Sequence, residues 1–541
     1  MPESCNSFIF SMIELLPILL YPELHYHWGL FYPLYFRRLP EIIADVPYRI
    51  DVSRESSIPI MLTVKDAHKY PIIIDFLDIH IISQAENKCI YKEKVLIEKL
   101  FDTRFASKIF IIQNDSLGIE QKVEIKISIT AHKPNKKKQL VFQNDNLPGL
   151  HTKLFTYLNA SPSPKIENWF AGEAHYHSYY TDDQVEFGGD IKGAIELARR
   201  MNIDWFFVTD HSYDLDDTES NYLRNDPDFP KWEKLKKEVS QLQQTEKYPV
   251  FYGEELSCGN AEKKNVHLLI INNENFIPGY GDSAEKWFRN KPKHSIGEAC
   301  KITNAHSLKI GAHTFEKNNN LINSLLLNRG TWHKQDVKEN HITYLQIINK
   351  KEKKHIAHAK RKWIELLLKG YKIIAIAGND AHGYFNCKRE VHIPFISLKS
   401  SHDQVFGQCK TYIKADGKNL TPDNFFQEFR KNRIVLSDGI FGSFRLNGQD
   451  IGSTNEEKNS YKCDIEVVSS QEFGMISSIV LCAGYYDKQT EDIEFQYEPK
   501  DVFAFSKAIS IDNKGQDYFR VEVLSQQNSF CITNPIWIKK E

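Results

Sequence analysis

Beyond Ser161-Pro-Ser-Pro164 the chain changes rhythm. Short apolar runs recur near residues 173–177, 204–209, 249–256, 265–272, 309–313, 342–348 and 373–379, and most gaps between them carry a segment of helical period. This alternation constrains the fold more than any other feature, because parallel strands need crossover connections and helices are the usual crossover. It predicts a mainly parallel sheet, open or closed as a barrel, and the number of runs favours a small or distorted barrel. Asp190 is placed to cap one helix, with Ala194, Leu197 and Ala198 on its apolar side. A second helix is predicted over His358–Lys369, with Trp363, Leu366 and Leu367 facing inward.

On either side the helical period is absent. Residues 47–158 run in short β-branched and aromatic stretches, such as Ile58–Val64 and Val123–Ile129, separated by turn and charge clusters. From Asp438 strands return, for example Cys463–Val468 and Tyr518–Leu524. The predicted organisation is an N-terminal segment over 1–46, a β-sandwich-like domain over 47–160, an α/β domain over 165–437 and a β domain over 438–541. Phe8–Tyr21 is apolar, yet Glu14 and Pro17 interrupt it and no Lys or Arg precedes Arg37, so it reads as a docked segment rather than a secretory signal or a membrane span.

Composition narrows the functional classes. Sixty-nine basic and 71 acidic residues leave a formal charge of -2, which provides no global field toward nucleic acid or anionic lipid. The Lys-rich run from His132 to Lys138 reads as a solvated hairpin tip. The 9 cysteines are scattered and contain no C-x-x-C pair, a usage suited to reduced thiols; the expected location is cytoplasmic, with no membrane partner.

Metal-ligating residue types collect at the ends of the apolar runs. The first ends Gly172-Glu-Ala-His-Tyr-His177, and residues i and i+2 of a strand project to the same side, so both imidazoles can reach one cation. The second ends Thr209-Asp-His211, the third Gly253-Glu-Glu255, the fourth begins Asn265-Val-His267, the fifth ends Ala312-His313 and the seventh Asn379-Asp-Ala-His382. In a parallel barrel the carboxyl ends of all strands open onto one face, where such residues converge. Neutral imidazole and carboxylate suit Zn, Mn or Fe, and the lack of a Cys cluster argues against a closed structural zinc site.

In this order the motifs H-x-H, S/T-D, T-D-H, G-x-E, V-H, A-H and D-A-H resemble those of the polymerase and histidinol phosphatase (PHP) metallohydrolases over roughly residues 170–400. The run Phe429–Asp438, the pair Asn447-Gly448 and the terminal Thr533–Trp537 are similar to the carbaryl-hydrolase-like branch of that family. The resemblance implies an α/β fold, a distorted (β/α)7 barrel of PHP type flanked by N-terminal and C-terminal all-β domains, with two to three divalent ions. Carried over by position, His175, His177, Glu255 and Asp380 would hold the first ion, Glu255, His267 and His313 the second, and Asp182, His211 and His382 the third, with Asp183 the alternative to Asp182.

The expected activity is metal-dependent hydrolysis of a small-molecule phosphate ester by a metal-bridging hydroxide, with Glu255, Asp380 and His211 as catalytic residues. An amide or carbamate hydrolase using the same centre is the alternative, and a metal-stabilised scaffold without catalysis is another. Arg224, Arg361, Arg389 and Lys317 are candidate phosphate contacts, although surface ion pairing accounts for each more simply. Asp210 and Glu254 are candidates to orient ligands. His25 and His27 repeat the H-x-H spelling without a following βα pattern, and His355 and His358 stand in a Lys-rich helical stretch; neither pair is expected to bind metal.

Overall fold

The computed structural model describes residues 38–540, apart from segments 53–56, 114–119, 147–152, 161, 183–187, 220, 282–289, 317–326, 388–389, 394–395 and 400–403. The Phe8–Tyr21 stretch, His25, His27, Asp183, Lys317 and Arg389 therefore lie outside the described residues.

The first part is two sheets sharing one core. Glu41–Asp45, Ser57–Lys65 and Phe105–Gln113 form an antiparallel trio, and Ile72–Ser83, Lys88–Phe101 and Gln121–His132 belong to a second sheet. Alternation explains which residues enter the core. In Ile72–Ser83 the buried apolar positions are Ile72 and Ile74, then Leu77, Ile79 and Ile81, a change of parity that coincides with a register shift between Ile74 and Phe76. These side chains meet Ile42, Ile58 and Ile60 of the facing sheet.

The middle of the chain contains a ladder in which Trp169–His177, Trp205–His211 and Val250–Gly259 pair in parallel. The strand Trp205–His211 is buried along its whole length, as expected of a strand covered on both faces. Its neighbour helix Ile191–Arg200 starts at Asp190, whose carboxylate accepts from the Gly193 N–H at 2.6 Å, and it buries Ala194, Leu197 and Ala198. The helix Lys353–Leu367 buries Trp363, Leu366 and Leu367.

The expected (β/α)7 barrel with separate all-β flanks is corrected by this structure. Strand accounts for 46% of the described residues and helix for 15%, so the described architecture is mainly β. The ladder is also mixed. Val250–Gly259 pairs antiparallel with Asn265–Ile271, which pairs antiparallel with Leu308–Gly311, before parallel pairing resumes at Tyr344–Ile348 and Ile374–Ala377. On its other side Trp169–His177 pairs antiparallel with Lys410–Lys414, and the same sheet runs on through Ile434–Ser437 into Phe530–Thr533, Tyr518–Ser525 and Ile476–Tyr485. The short strand Ala381–His382 pairs with the end of Trp169–His177, bringing His382 opposite His177.

No helix among the described residues is long and apolar enough to cross a membrane.

Candidate metal centre

Three chain segments deliver the central group: the end of Trp169–His177, the strand Val250–Gly259, and Asp380 just before Ala381–His382. His175 and His177 project from one face of Trp169–His177, with their Nε2 atoms 3.1 Å apart. Asp380 Oδ1 lies 3.1 Å from His177 Nε2 and 3.4 Å from His175 Nε2. Glu255 Oε2 lies 3.2 and 3.3 Å from the same two nitrogens. The other oxygen of Glu255, Oε1, faces a second group: His267 Nδ1 at 2.7 Å and His313 Nε2 at 3.0 Å. Glu255 thus divides its two oxygens between two clusters of ligand atoms. Asp380 and His313 hold positive φ values of 52° and 29°, backbone conformations that cost a non-glycine residue energy and recur where geometry serves a site.

Neighbouring polar groups decide how the rings present themselves. Gln346 Oε1 accepts from the His313 backbone N–H at 3.3 Å, which identifies it as the amide oxygen, and it lies 2.9 Å from His175 Nδ1. An amide oxygen only accepts, so His175 carries its proton on Nδ1 and directs Nε2 toward the cluster. His177 Nδ1 lies 3.2 Å from Thr181 Oγ1. Asp380 Oδ2 accepts from Gln404 Nε2 at 2.6 Å.

Electrostatics follow from burial of this many ionisable groups together. Burial alone would lower the His177 pKa, but the Asp380 and Glu255 carboxylates reverse it and raise it to about 10. Burial alone would raise Glu255 and Asp380, yet the surrounding imidazoles, His267 and His175 for Glu255 and His175 and His177 for Asp380, hold both carboxyls well below the ordinary range. His211 and His382 are pulled down, first by burial and then by His177.

This donor set fits divalent cations. Bonds of about 2.1 Å set adjacent ligands roughly 3.0 Å apart in an octahedron and roughly 3.4 Å in a tetrahedron. The separations of 3.1 to 3.4 Å among His175, His177 and Asp380 fall in that interval. Among the described residues the buried His211 ring also has no partner in hydrogen-bond geometry at either nitrogen, although Nδ1 stands 3.0 Å from Glu255 Oε2. A contact of that length without hydrogen-bond geometry suits two atoms aimed at a common third one.

The positions carried over from sequence come together with one exception. Groups able to hold a cation among the described residues are His175, His177, Glu255 and Asp380; Glu255, His267 and His313; and His177, His211 and His382. Asp182 is not in the third group. Its carboxylate is paired with Lys65, at 3.3 Å, from the end of Ser57–Lys65, and with Arg104 from the bend before Phe105–Gln113. His177 takes its place, but with Nδ1 on Thr181 it has one nitrogen left to share between the first and third groups.

Asp210 and Glu254 contact other partners: Asp210 accepts from Ser178 and Thr181, and Glu254 from Ser212 Oγ at 2.9 Å and the Ile277 N–H at 3.2 Å. His355 and His358 belong to none of the groups. Arg224 is exposed, and Arg361 is exposed with Nη2 3.2 Å from His358 Nδ1. Sequence reading overlooked Gln346, Thr181 and Gln404. Gln346 had a signal, since it is the polar residue within the apolar strand Tyr344–Ile348.

No protein-family model and no curated protein matches the chain. Among solved structures it is similar to the β-glucuronidase of Parabacteroides merdae, at 7% identity and TM-score 0.19 over 93% of this chain and 64% of that one. It is similar also to the β-D-mannosidase of Dictyoglomus thermophilum, at 10% identity and TM-score 0.24 over 92% and 66%, and to a putative β-galactosidase of Bacteroides fragilis, at 10% identity and TM-score 0.19 over 93% and 74%. The chain thus spans 64% of the glucuronidase's length. Likenesses this slight assign neither a fold nor an activity.

Proposed function

We propose that the chain is a metal-dependent hydrolase with two divalent cations, Zn, Mn or Fe, acting on a small phosphate ester. The observation that carries this reading is the meeting of His175 Nε2, His177 Nε2, Asp380 Oδ1 and Glu255 Oε2 at 3.1 to 3.4 Å in a buried site. Two imidazole nitrogens and two carboxylate oxygens at that spacing offer four electron pairs to one centre, and a single shared proton would serve only part of them.

His175, His177 and Asp380 would hold one ion, His267 and His313 the other, and Glu255 would bridge them through its two oxygens. Divalent cations supply Lewis acidity and bring the pKa of a coordinated water toward neutrality. The protein contributes orientation: Gln346 fixes the His175 ring, Gln404 holds the outer Asp380 oxygen, and burial keeps bulk water out. His313, with its side chain 17% exposed against 1% for Glu255, marks the side from which substrate approaches. His211 Nδ1 stands 3.0 Å from Glu255 Oε2, where it would add a further donor beside the first ion. The ordered motifs similar to the PHP metallohydrolases support a phosphate ester as the substrate.

The test is elemental analysis after dialysis, followed by aryl phosphate monoester and diester assays beside an aryl carbamate. Metal-dependent phosphate release is expected. Carbamate cleavage alone would move the substrate class to carbamates, and a metal-loaded protein that cleaves neither would end the hydrolase reading.

A further inference from the structure

The turn after His177 determines how that ring is held. Asp210 accepts hydrogen bonds from the Ser178 N–H at 2.8 Å, the Ser178 hydroxyl at 2.7 Å, the Thr181 N–H at 3.0 Å and the Thr181 hydroxyl at 2.9 Å. Ser178 Oγ in turn accepts from the Tyr180 N–H at 3.3 Å, which leaves its own proton for Asp210. A carboxylate surrounded by donors spends its lone pairs on them, so the Thr181 proton is committed to Asp210. The oxygen of Thr181, 3.2 Å from His177 Nδ1, then has only acceptor capacity to offer, and the imidazole proton must lie on Nδ1.

We propose that Thr181 is a positioning residue that relays Asp210 to His177, an inference that rests on the metal-centre reading above. Carboxylates commonly orient metal-binding histidines by direct contact. Here a hydroxyl stands between, and it reverses nothing: proton donation runs from Nδ1 to Thr181 to Asp210, leaving the Nε2 lone pair directed at Asp380 and Glu255. The turn is anchored on its other side as well. Asp182 pairs with Lys65 and Arg104, and the Tyr179 ring stacks on Phe105 at 4.7 Å. Thr181 therefore sits between residues that are tied to separate parts of the fold, and the hydroxyl is held where His177 needs it.

The experiment compares full-length wild type, Thr181→Val and Thr181→Ser. Valine keeps the shape and loses the hydroxyl, whereas serine keeps the hydroxyl. Zn affinity by chelator competition should fall about 10- to 100-fold in Thr181→Val and return in Thr181→Ser, and the visible spectrum of the Co-loaded protein should change in the valine variant alone. A Thr181→Val protein with wild-type affinity and an unchanged Co spectrum overturns the relay while leaving the metal centre standing. A wild type that binds no Zn overturns both. If Thr181→Val does not fold, nitrogen NMR of the Zn-loaded wild type decides, using His177→Gln to assign the ring: an Nδ1–H tautomer bonded to a hydroxyl is expected, and an Nε2–H tautomer overturns the proposal.

Discussion

Glu255 Oε1 lies 2.7 Å from His267 Nδ1, on the opposite edge of the carboxylate from the oxygen that faces His175 and His177. One side chain thereby joins two clusters of ligand atoms, and removing its charge should disturb both. Glu255→Gln is expected to lose metal at both positions and to reduce turnover by at least about a hundredfold. Glu254→Gln, whose contacts are Ser212 and Ile277, should keep its metal and cost about 1 kcal/mol of stability. Metal content by elemental analysis separates them, and equal losses in the two variants would refute the bridging role.

Metal stoichiometry is the second expectation. Because His177 has one nitrogen to divide between the first and third groups, the dialysed protein should retain two ions per chain. Chelation should then lower thermal stability, since a ligand present at a thousandfold its dissociation constant stabilises the folded state by about 4 kcal/mol. Calorimetry with and without chelator reads this directly. A melting temperature indifferent to chelator would contradict it.

Asp182 should behave as a structural residue rather than a ligand. Its partners are Lys65, buried at the end of a strand, and Arg104, in the bend before Phe105–Gln113. Asp182→Asn should therefore cost about 2 kcal/mol of stability by removing the charge that pairs with both Lys65 and Arg104, with metal content unchanged. Loss of one equivalent of metal in that variant would return Asp182 to the coordination sphere.

A pH-dependent contribution to stability is expected outside the cation-binding groups, at Lys410. This side chain is fully buried, its Nζ has no hydrogen-bond partner among the described residues, and the charges around it are Arg49, Lys351, Glu472 and Asp438. Burial, reinforced by Arg49, pulls its pKa from 10.5 down to about 8. Because the folded value is depressed, the contribution is fully present above the unfolded pKa and disappears as pH falls through the folded one. Stability should climb between about pH 8 and 10.5, and Lys410→Met should remove that rise and add up to about 3 kcal/mol at pH 7. Denaturant midpoints at pH 7, 8.5 and 10 provide the measurement, and parallel curves for the two proteins would exclude the effect.

Residues whose positions follow from strand periodicity were legible from sequence. Alternation alone sets His175 and His177 on one face, and the same parity separates Glu255 from Glu254, because successive side chains of a strand have no choice of side. The helix begun by Asp190 was equally readable, since a cap and its first turn are local. Periodicity lost its hold where a strand ends. Asp182 follows His177 closely in sequence, but its direction is set by Lys65 and Arg104, which lie far upstream and meet it only after two sheets have packed.

The larger architecture divides in the same way. Only five residues separate Gly259 from Asn265, too few for a crossover helix, so the antiparallel turn that breaks the βα repetition was present in the sequence and was passed over. Nothing local encodes the pairing of Ile434–Ser437 with Phe530–Thr533 that carries the sheet into the C-terminal strands. A β-strand is satisfied by any edge of suitable register, and which edge it meets depends on the packing of the rest of the chain. Sequence alone therefore determined which side chains share a strand face. Tertiary structure decided which faces meet, and with them the roles of Asp182, Gln346 and Thr181.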